Sequence, residues 1–282
     1  MKLTSYRMNG EEHYGVVSGD GVIGLSARIG SRYPDLKALI ATDAFAEAAK
    51  AAKGQAPDVR LGDIEFRPVI PDPNKIICVG LNYKAHREET GRAPTDHPAL
   101  FVRFADTQIG HRQPMVVPAA SDKLDYEGEL AVIIGKGGRH VPAKDALSIV
   151  AGYGIFNDGS VRDFQNHTIQ WTAGKNFPRT GGFGPWMVTA DELGDPTELE
   201  LTTRLNGQVM QNTTTDLMIF DIPTLIEYIT TFTELRPGDV ISTGTPGGVG
   251  FKRNPPVFMK PGDTVEVEIT KIGTLVNPLV AE

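Results

Sequence analysis

The sequence predicts a mostly β chain of the α+β class: a mixed β-sandwich roll with a small α/β unit at its N-terminus. Three observations lead there. Short runs rich in Val and Ile recur through residues 71–282, each bounded by Gly or Pro. Only two stretches of that region, AKDALSIV and IPTLIEYITTF, read as helices. No strand–helix–strand alternation appears, so a doubly wound parallel sheet is not expected.

The elements follow in order. MKLTSYRMNGEEHYGVVSGDGVIGL holds strand-like runs broken by Asn-Gly and Gly-Asp-Gly, which are hairpin signals. DLKALIATDAFAEAAKAAKG is Ala-rich and closed by Gly54, the pattern of a helix. FRPVIPDPNK carries three prolines and is the expected linker between a small domain, 1–70, and a catalytic domain, 71–282. KIICVGLNY, PALFVRF, PMVVP, LAVIIG, VAGYGIFND, GPWMVTA, LELTTRLNG, DVISTG and TVEVEI are the expected strands, with a turn or short helix at NYKAHREETG. Pro223 sits near the start of the IPTLIEYITTF helix, where a missing N–H costs nothing.

Composition narrows the function. The net charge is −7 without a basic stripe, which argues against a nucleic-acid partner. The one cysteine, Cys78, lies between Ile77 and Val79 and reads as a small buried hydrophobe rather than a nucleophile. A lone thiol forms no disulfide within the chain, which fits a reducing cytoplasm. The N-terminus lacks the apolar core of a signal peptide, and no run approaches the roughly 18 apolar residues of a membrane span. A soluble cytoplasmic protein is expected.

Four stretches carry chemistry. In LDYEGELAVIIGK, Glu127 and Glu129 are two apart, so on a strand both leave the same face. An exposed face would also explain the pair. A third acid, Asp158, ends the apolar run AGYGIFND, and three carboxylates at strand ends suit a hard divalent cation, Mg²⁺ or Mn²⁺. His86 and Glu89 in NYKAHREE are three apart, which on a helical turn pairs an imidazole with a carboxylate, as a general base needs. A surface turn would give the same spacing. In RDFQNHTIQWTAGKNF, Gln165 and Lys175 offer an amide donor and a cation for a developing oxyanion or a substrate carboxylate. STGTPGGVGFK lacks the Lys-Ser/Thr pair of a phosphate loop and reads as a backbone-lined loop, with Thr245 offering a hydroxyl.

In this order, VGLNYKAHREE, LDYEGELAVIIGK, GYGIFNDGSVRDFQ, QWTAGKNF, GPWMV, LNGQVMQNTTTDLMIF and PGDVISTGTPGGVG, the chain resembles the fumarylacetoacetate hydrolase family over roughly residues 75–282. The resemblance implies a β-roll around Mg²⁺ or Mn²⁺ held by Glu127, Glu129 and Asp158, and a His86–Glu89 dyad on a short lid helix. It implies roles for Lys175, Gln165 and Thr245, and a homodimer. Arg103, Tyr83 and Gly244 are the remaining expected substrate contacts. Arg103 and Phe104 stand where many relatives carry Lys-Pro, so that part of the pocket is expected to differ.

The implied reaction is C–C hydrolysis of a β-diketo acid, an acylpyruvate such as fumarylpyruvate, maleylpyruvate or a diketo-deoxy sugar acid, to pyruvate and a carboxylic acid. Decarboxylation or tautomerisation of an oxo-acid is the alternative, and a non-catalytic small-molecule binder a third reading. Arg103, His111, Arg112 and Arg179 are the candidates to hold a second carboxylate.

Overall fold

The apolar run VAGYGIFND becomes the middle of the molecule. In the computed structural model, which describes residues 1–282, it is the strand Val150–Asp158, buried along its whole length. Gly128–Ile134 and Gly181–Thr189 flank it, both antiparallel to it. A strand covered on both faces has no use for polar alternation, which is why these segments read as continuous apolar runs.

The large sheet has twelve strands. From Gly181–Thr189 it runs through Val150–Asp158, Gly128–Ile134 and Val240–Ser242 to Ile76–Gly80 and the edge strand Ala99–Arg103. It is mixed, because Val240–Ser242 pairs parallel with Ile76–Gly80. A second sheet has five strands and packs on the first, with Leu201, Val267, Ile269 and Leu275 meeting Leu130, Val132, Ile155 and Val188. Its strand Thr264–Ile269, TVEVEI, buries Val265, Val267 and Ile269 in strict alternation, the signature of a half-covered strand.

The N-terminal residues extend the large sheet. Lys2–Met8 pairs with Gly181–Thr189, placing Leu3 opposite Met187. Glu11–Ser18, Gly21–Gly24 and Val59–Arg60 continue outward. Leu3, Tyr14, Leu39 and Ala48 share one cluster with Ile76, Cys78, Phe156 and Val240. Residues 1–70 therefore have their own helices but share their hydrophobic core with the rest.

Local sequence explains most helices and one departure. The expected helix of residues 35–54 is two, Leu36–Ala41 and Phe45–Ala52, because Asp43 between them adopts a left-handed φ of 54°. Asp tolerates that conformation better than most residues. Ile222–Phe232 forms as expected: Asp221 caps it by accepting the Thr224 N–H at 2.9 Å, and Ile222, Leu225, Ile226 and Ile229 face the core. AKDALSIV makes only the 3₁₀ turns Ala143–Ile149. Two strands of seven or more residues have no counterpart among the sequence expectations, Gln208–Thr214 and Gly273–Ala281. No helix is long and apolar enough to cross a membrane.

Candidate active site

The site forms where the two central strands end. Gly128 pairs with Asn157 and Glu129 with Phe156, so Glu127, Glu129 and Asp158 arrive at one end of the large sheet. The Asp158 N–H donates to the Glu127 carbonyl at 2.8 Å, and the Asn157 side chain accepts the Glu127 N–H at 3.0 Å. Those bonds lock the two acid-bearing segments together. One oxygen of each of the three acids can be chosen so that all lie within 4.8 Å of one another, and all three residues are buried.

Buried carboxylates at this spacing need cations. Lys175 Nζ donates to Glu127 at 2.6 Å and to Asp158 at 2.7 Å. Arg103 donates to the other Asp158 oxygen at 2.7 Å, and Arg162 forms an ion pair with the other Glu127 oxygen at 2.6 Å. Burial favours the neutral acid at Glu127, but Lys175 and Arg162 outweigh it and hold the carboxyl at about 2. Glu129 differs. It accepts the Ser242 hydroxyl at 2.6 Å and the Gly244 N–H at 2.8 Å but pairs with no cation. Burial, reinforced by Asp158 and Glu127, pushes its carboxyl well above the usual range.

That donor set fits a divalent ion. It is all oxygen, as Mg²⁺ and Mn²⁺ prefer. Each carboxylate oxygen has two lone pairs, so an oxygen already bonded to Lys175 or an arginine still has one to offer. The unpaired Glu129 marks the charge that a cation would balance.

The dyad is assembled. His86 and Glu89 lie on the helix Lys84–Thr90, with His86 Nδ1 2.7 Å from Glu89 Oε1. The other Glu89 oxygen accepts the Gly248 N–H at 2.9 Å, tying the helix to the glycine loop. Asn82 anchors the chain ahead of it, donating to the Phe220 and Thr243 carbonyls and accepting the Phe220 N–H.

A cavity of about 120 Å³ connects these groups, and His86, Glu127, Glu129, Gln165, Lys175 and Thr245 all line it. Gln165 reaches it from the turn Arg162–Gln165, and Lys175 from the turn Thr172–Lys175. The turns meet at Gly174, where an added Cβ would lie 2.3 Å from the Gln165 nitrogen. Gln165 Oε1 accepts from Arg162 at 2.9 Å, which leaves its amide N–H groups for the cavity. Thr245 is bonded to the Gly128 carbonyl and to Gln211.

The other expected contacts stand elsewhere. Arg103 is spent on Asp158, the Gly159 carbonyl and Thr180, so it supports a ligand carboxylate instead of meeting substrate. Gly244 lies behind the wall. Its φ of 104° suits glycine, and a Cβ would lie 2.7 Å from Asn82 Cβ, so the chain passes close enough to deliver an N–H to Glu129. Tyr83 lines a separate cleft on the far side of the His86 helix. His111, Arg112 and Arg179 are absent from the cavity: His111 accepts the Val276 N–H, Arg112 reaches the Leu61 carbonyl, and Arg179 the Pro114 carbonyl.

Two residues escaped the sequence reading. Arg162 joins Glu127 to Asp125, and Asp125 also accepts the N–H groups of Gly250 and Phe251 at 2.8 and 3.0 Å. The only local signal was that Arg162 precedes Gln165 by one helical turn, and that Asp125 heads a D-x-E-x-E series.

Residues 75–280 match the fumarylacetoacetate (FAA) hydrolase C-terminal family. The chain belongs to the fumarylacetoacetate hydrolase family. The proteins this chain resembles include a tautomerase, a hydrolase and an isomerase. The human mitochondrial oxaloacetate tautomerase FAHD2A is 40% identical over 235 residues, covering 83% of this chain and 75% of its own. The maleylpyruvate hydrolase of Sphingobium sp. SYK-6, solved with manganese(II) and pyruvate, is 30% identical, with TM-score 0.84 over 100% of this chain and 99% of its own. The 5-carboxymethyl-2-hydroxymuconate delta-isomerase of Mycobacterium smegmatis is 33% identical, with TM-score 0.78 over 100% and 99%.

Proposed function

We propose that the protein is a divalent-metal-dependent enzyme acting on 2-oxo acids, and that its reaction is hydrolytic C–C cleavage of a β-diketo acid. One observation carries the reading: the paired His86–Glu89 dyad opens onto the same cavity as the Glu127, Glu129 and Asp158 group. Glu127, Glu129 and Asp158 would hold Mg²⁺ or Mn²⁺, which would supply Lewis-acid chemistry toward a 2-oxo acid.

The chain's own groups do the rest. Glu89 holds His86 through Nδ1, leaving Nε2 to take a proton from water. The hydroxide so formed adds to the distal carbonyl, and the Gln165 amide N–H meets the oxyanion. The bond between carbons 3 and 4 then breaks. Its electron pair stays on the three-carbon fragment, which takes up a proton to become pyruvate, while the other fragment leaves as a carboxylic acid. Lys175 keeps Glu127 ionised and holds both Glu127 and Asp158 in place throughout.

A second reading uses the same base without added water: tautomerisation of a four-carbon oxo diacid, with His86 moving a proton at carbon 3. The 40% identity to the human oxaloacetate tautomerase, against 30% to the maleylpyruvate hydrolase, favours it. Turnover of acylpyruvates in H₂¹⁸O separates the two. Hydrolysis puts one ¹⁸O into the acid product. Oxaloacetate enol–keto conversion without acylpyruvate turnover would establish the second reading instead.

A further inference from the structure

The cavity's buried acids sit among buried cations that pair with them, whereas its exposed charged residues are cations alone. Glu127 and Glu129 are the only carboxylates lining it, and both are buried. Arg92 and Lys252 also line it, and both are exposed. Arg92 follows the His86 helix just past its Gly91 cap. Lys252 lies on the turn Gly250–Lys252, in the segment that Asp125 fixes from below.

Neither cation has an acid to pair with. Arg92 and Lys252 take part in no ion pair and make no side-chain hydrogen bond within the chain, whereas Arg103, Arg162 and Lys175 are each paired with buried acids. The Lys252 ammonium lies 5.1 Å from the Phe251 ring, whose other neighbour is the Arg162 guanidinium at 4.3 Å. Phe101 and Trp171, packed edge to face, give the lining an apolar patch. A ligand filling this space is bounded by the buried acids, the aromatic pair and two exposed, unneutralised cations.

We infer that Arg92 and Lys252 select 2-oxo acids that carry a second carboxylate at the end remote from the 2-oxo group. The inference rests on the 2-oxo-acid reading above and deepens it, replacing the buried or distant arginines that the sequence suggested for this task. Both side chains hold the distal carboxylate as a solvent-exposed clamp, so selectivity appears in KM rather than kcat. It also weakens with salt, because exposed pairs are screened.

The test follows exchange of the carbon-3 protons into D₂O by NMR, with Mg²⁺ present, for oxaloacetate and for 2-oxobutyrate, above the enzyme-free rates. The unmodified protein is expected to favour the diacid, and that preference to shrink as KCl is raised. Arg92→Gln and Lys252→Gln are each expected to raise the diacid KM about three- to fivefold, the scale of one exposed ion pair, and the double variant further. The 2-oxobutyrate KM should not follow. Exchange of neither acid by the unmodified protein overturns the 2-oxo-acid reading itself. Exchange of both without a diacid preference, or a preference indifferent to salt and to the double variant, overturns only the clamp.

Discussion

The imidazole of His86 is held 2.7 Å from the carboxylate of Glu89, one helical turn away, and the same carboxylate binds the Gly248 N–H. Glu89 thus sets the orientation of the ring and the position of the helix against the glycine loop. His86→Ala is expected to lower kcat by about 10²- to 10⁴-fold, the usual weight of a positioned general base. Glu89→Gln should lower it less. Oxalate titrated calorimetrically in Mg²⁺ should bind the His86→Ala protein as it binds the unmodified one. Parallel losses of oxalate affinity and kcat would remove His86 from the role of base.

Glu129 is a buried carboxylate without a cation, so in metal-free protein it costs stability near neutral pH. Its raised pKa gives the sign. The folded state holds the proton where the unfolded chain has lost it, so stability falls as pH rises through that window. Glu129→Gln keeps an oxygen for Ser242 and Gly244. At pH 7 in EDTA it is expected to melt no lower than the unmodified protein, and to lose the upward shift that Mn²⁺ produces. A variant that melts higher with Mn²⁺ to the full extent would remove Glu129 from the metal ligands.

Asp125 accepts from Arg162 and from the backbone of Gly250 and Phe251. Asp125→Ala leaves a buried guanidinium with one partner fewer and three N–H groups, those of Tyr126, Gly250 and Phe251, unmet. The expected loss is about 3–5 kcal/mol, the range for breaking a buried pair. Urea denaturation measures it, and a loss under about 1 kcal/mol, the level of an exposed pair, would show the network to be dispensable.

His111 is pushed down from its usual 6.5 to about 4, by burial first and by the Arg112 charge second. Its Nδ1 accepts the Val276 N–H at 3.0 Å, which requires that nitrogen to carry no proton. The unfolded chain binds the proton more readily, so this contribution is whole above pH 6.5 and is lost as pH falls toward 4. The loss is about 2–3 kcal/mol by pH 4.5, at 1.36 kcal/mol per pKa unit. His111→Asn, which keeps an acceptor for Val276, should show a shallower decline over the same range. Equal declines in urea melts would assign the acid sensitivity to other groups.

Strand positions were legible because burial leaves a periodic trace: LAVII and VAGYGIF are apolar runs inside fully buried strands, and TVEVEI alternates. Gln208–Thr214 was not, since a polar edge strand carries neither pattern. In the same way, the one-turn spacing of His86 and Glu89 and the pairing of Glu127 with Glu129 are local facts that a sequence displays.

Cation partners are not local facts. Arg103 reaches Asp158 across 55 positions, and Arg162 reaches Asp125 across 37, so nothing in their neighbourhoods announces the pairing. By itself the sequence displayed the mostly β character, the two-residue spacing of Glu127 and Glu129 and the one-turn spacing of His86 and Glu89, because periodicity and short spacings are written along the chain. Only the tertiary structure decided which arginines neutralise the acids and which remain exposed at the cavity. Long-range electrostatic pairing depends on distance through space, and the fold brings Arg103 to a buried acid while leaving Arg92 and Lys252 exposed.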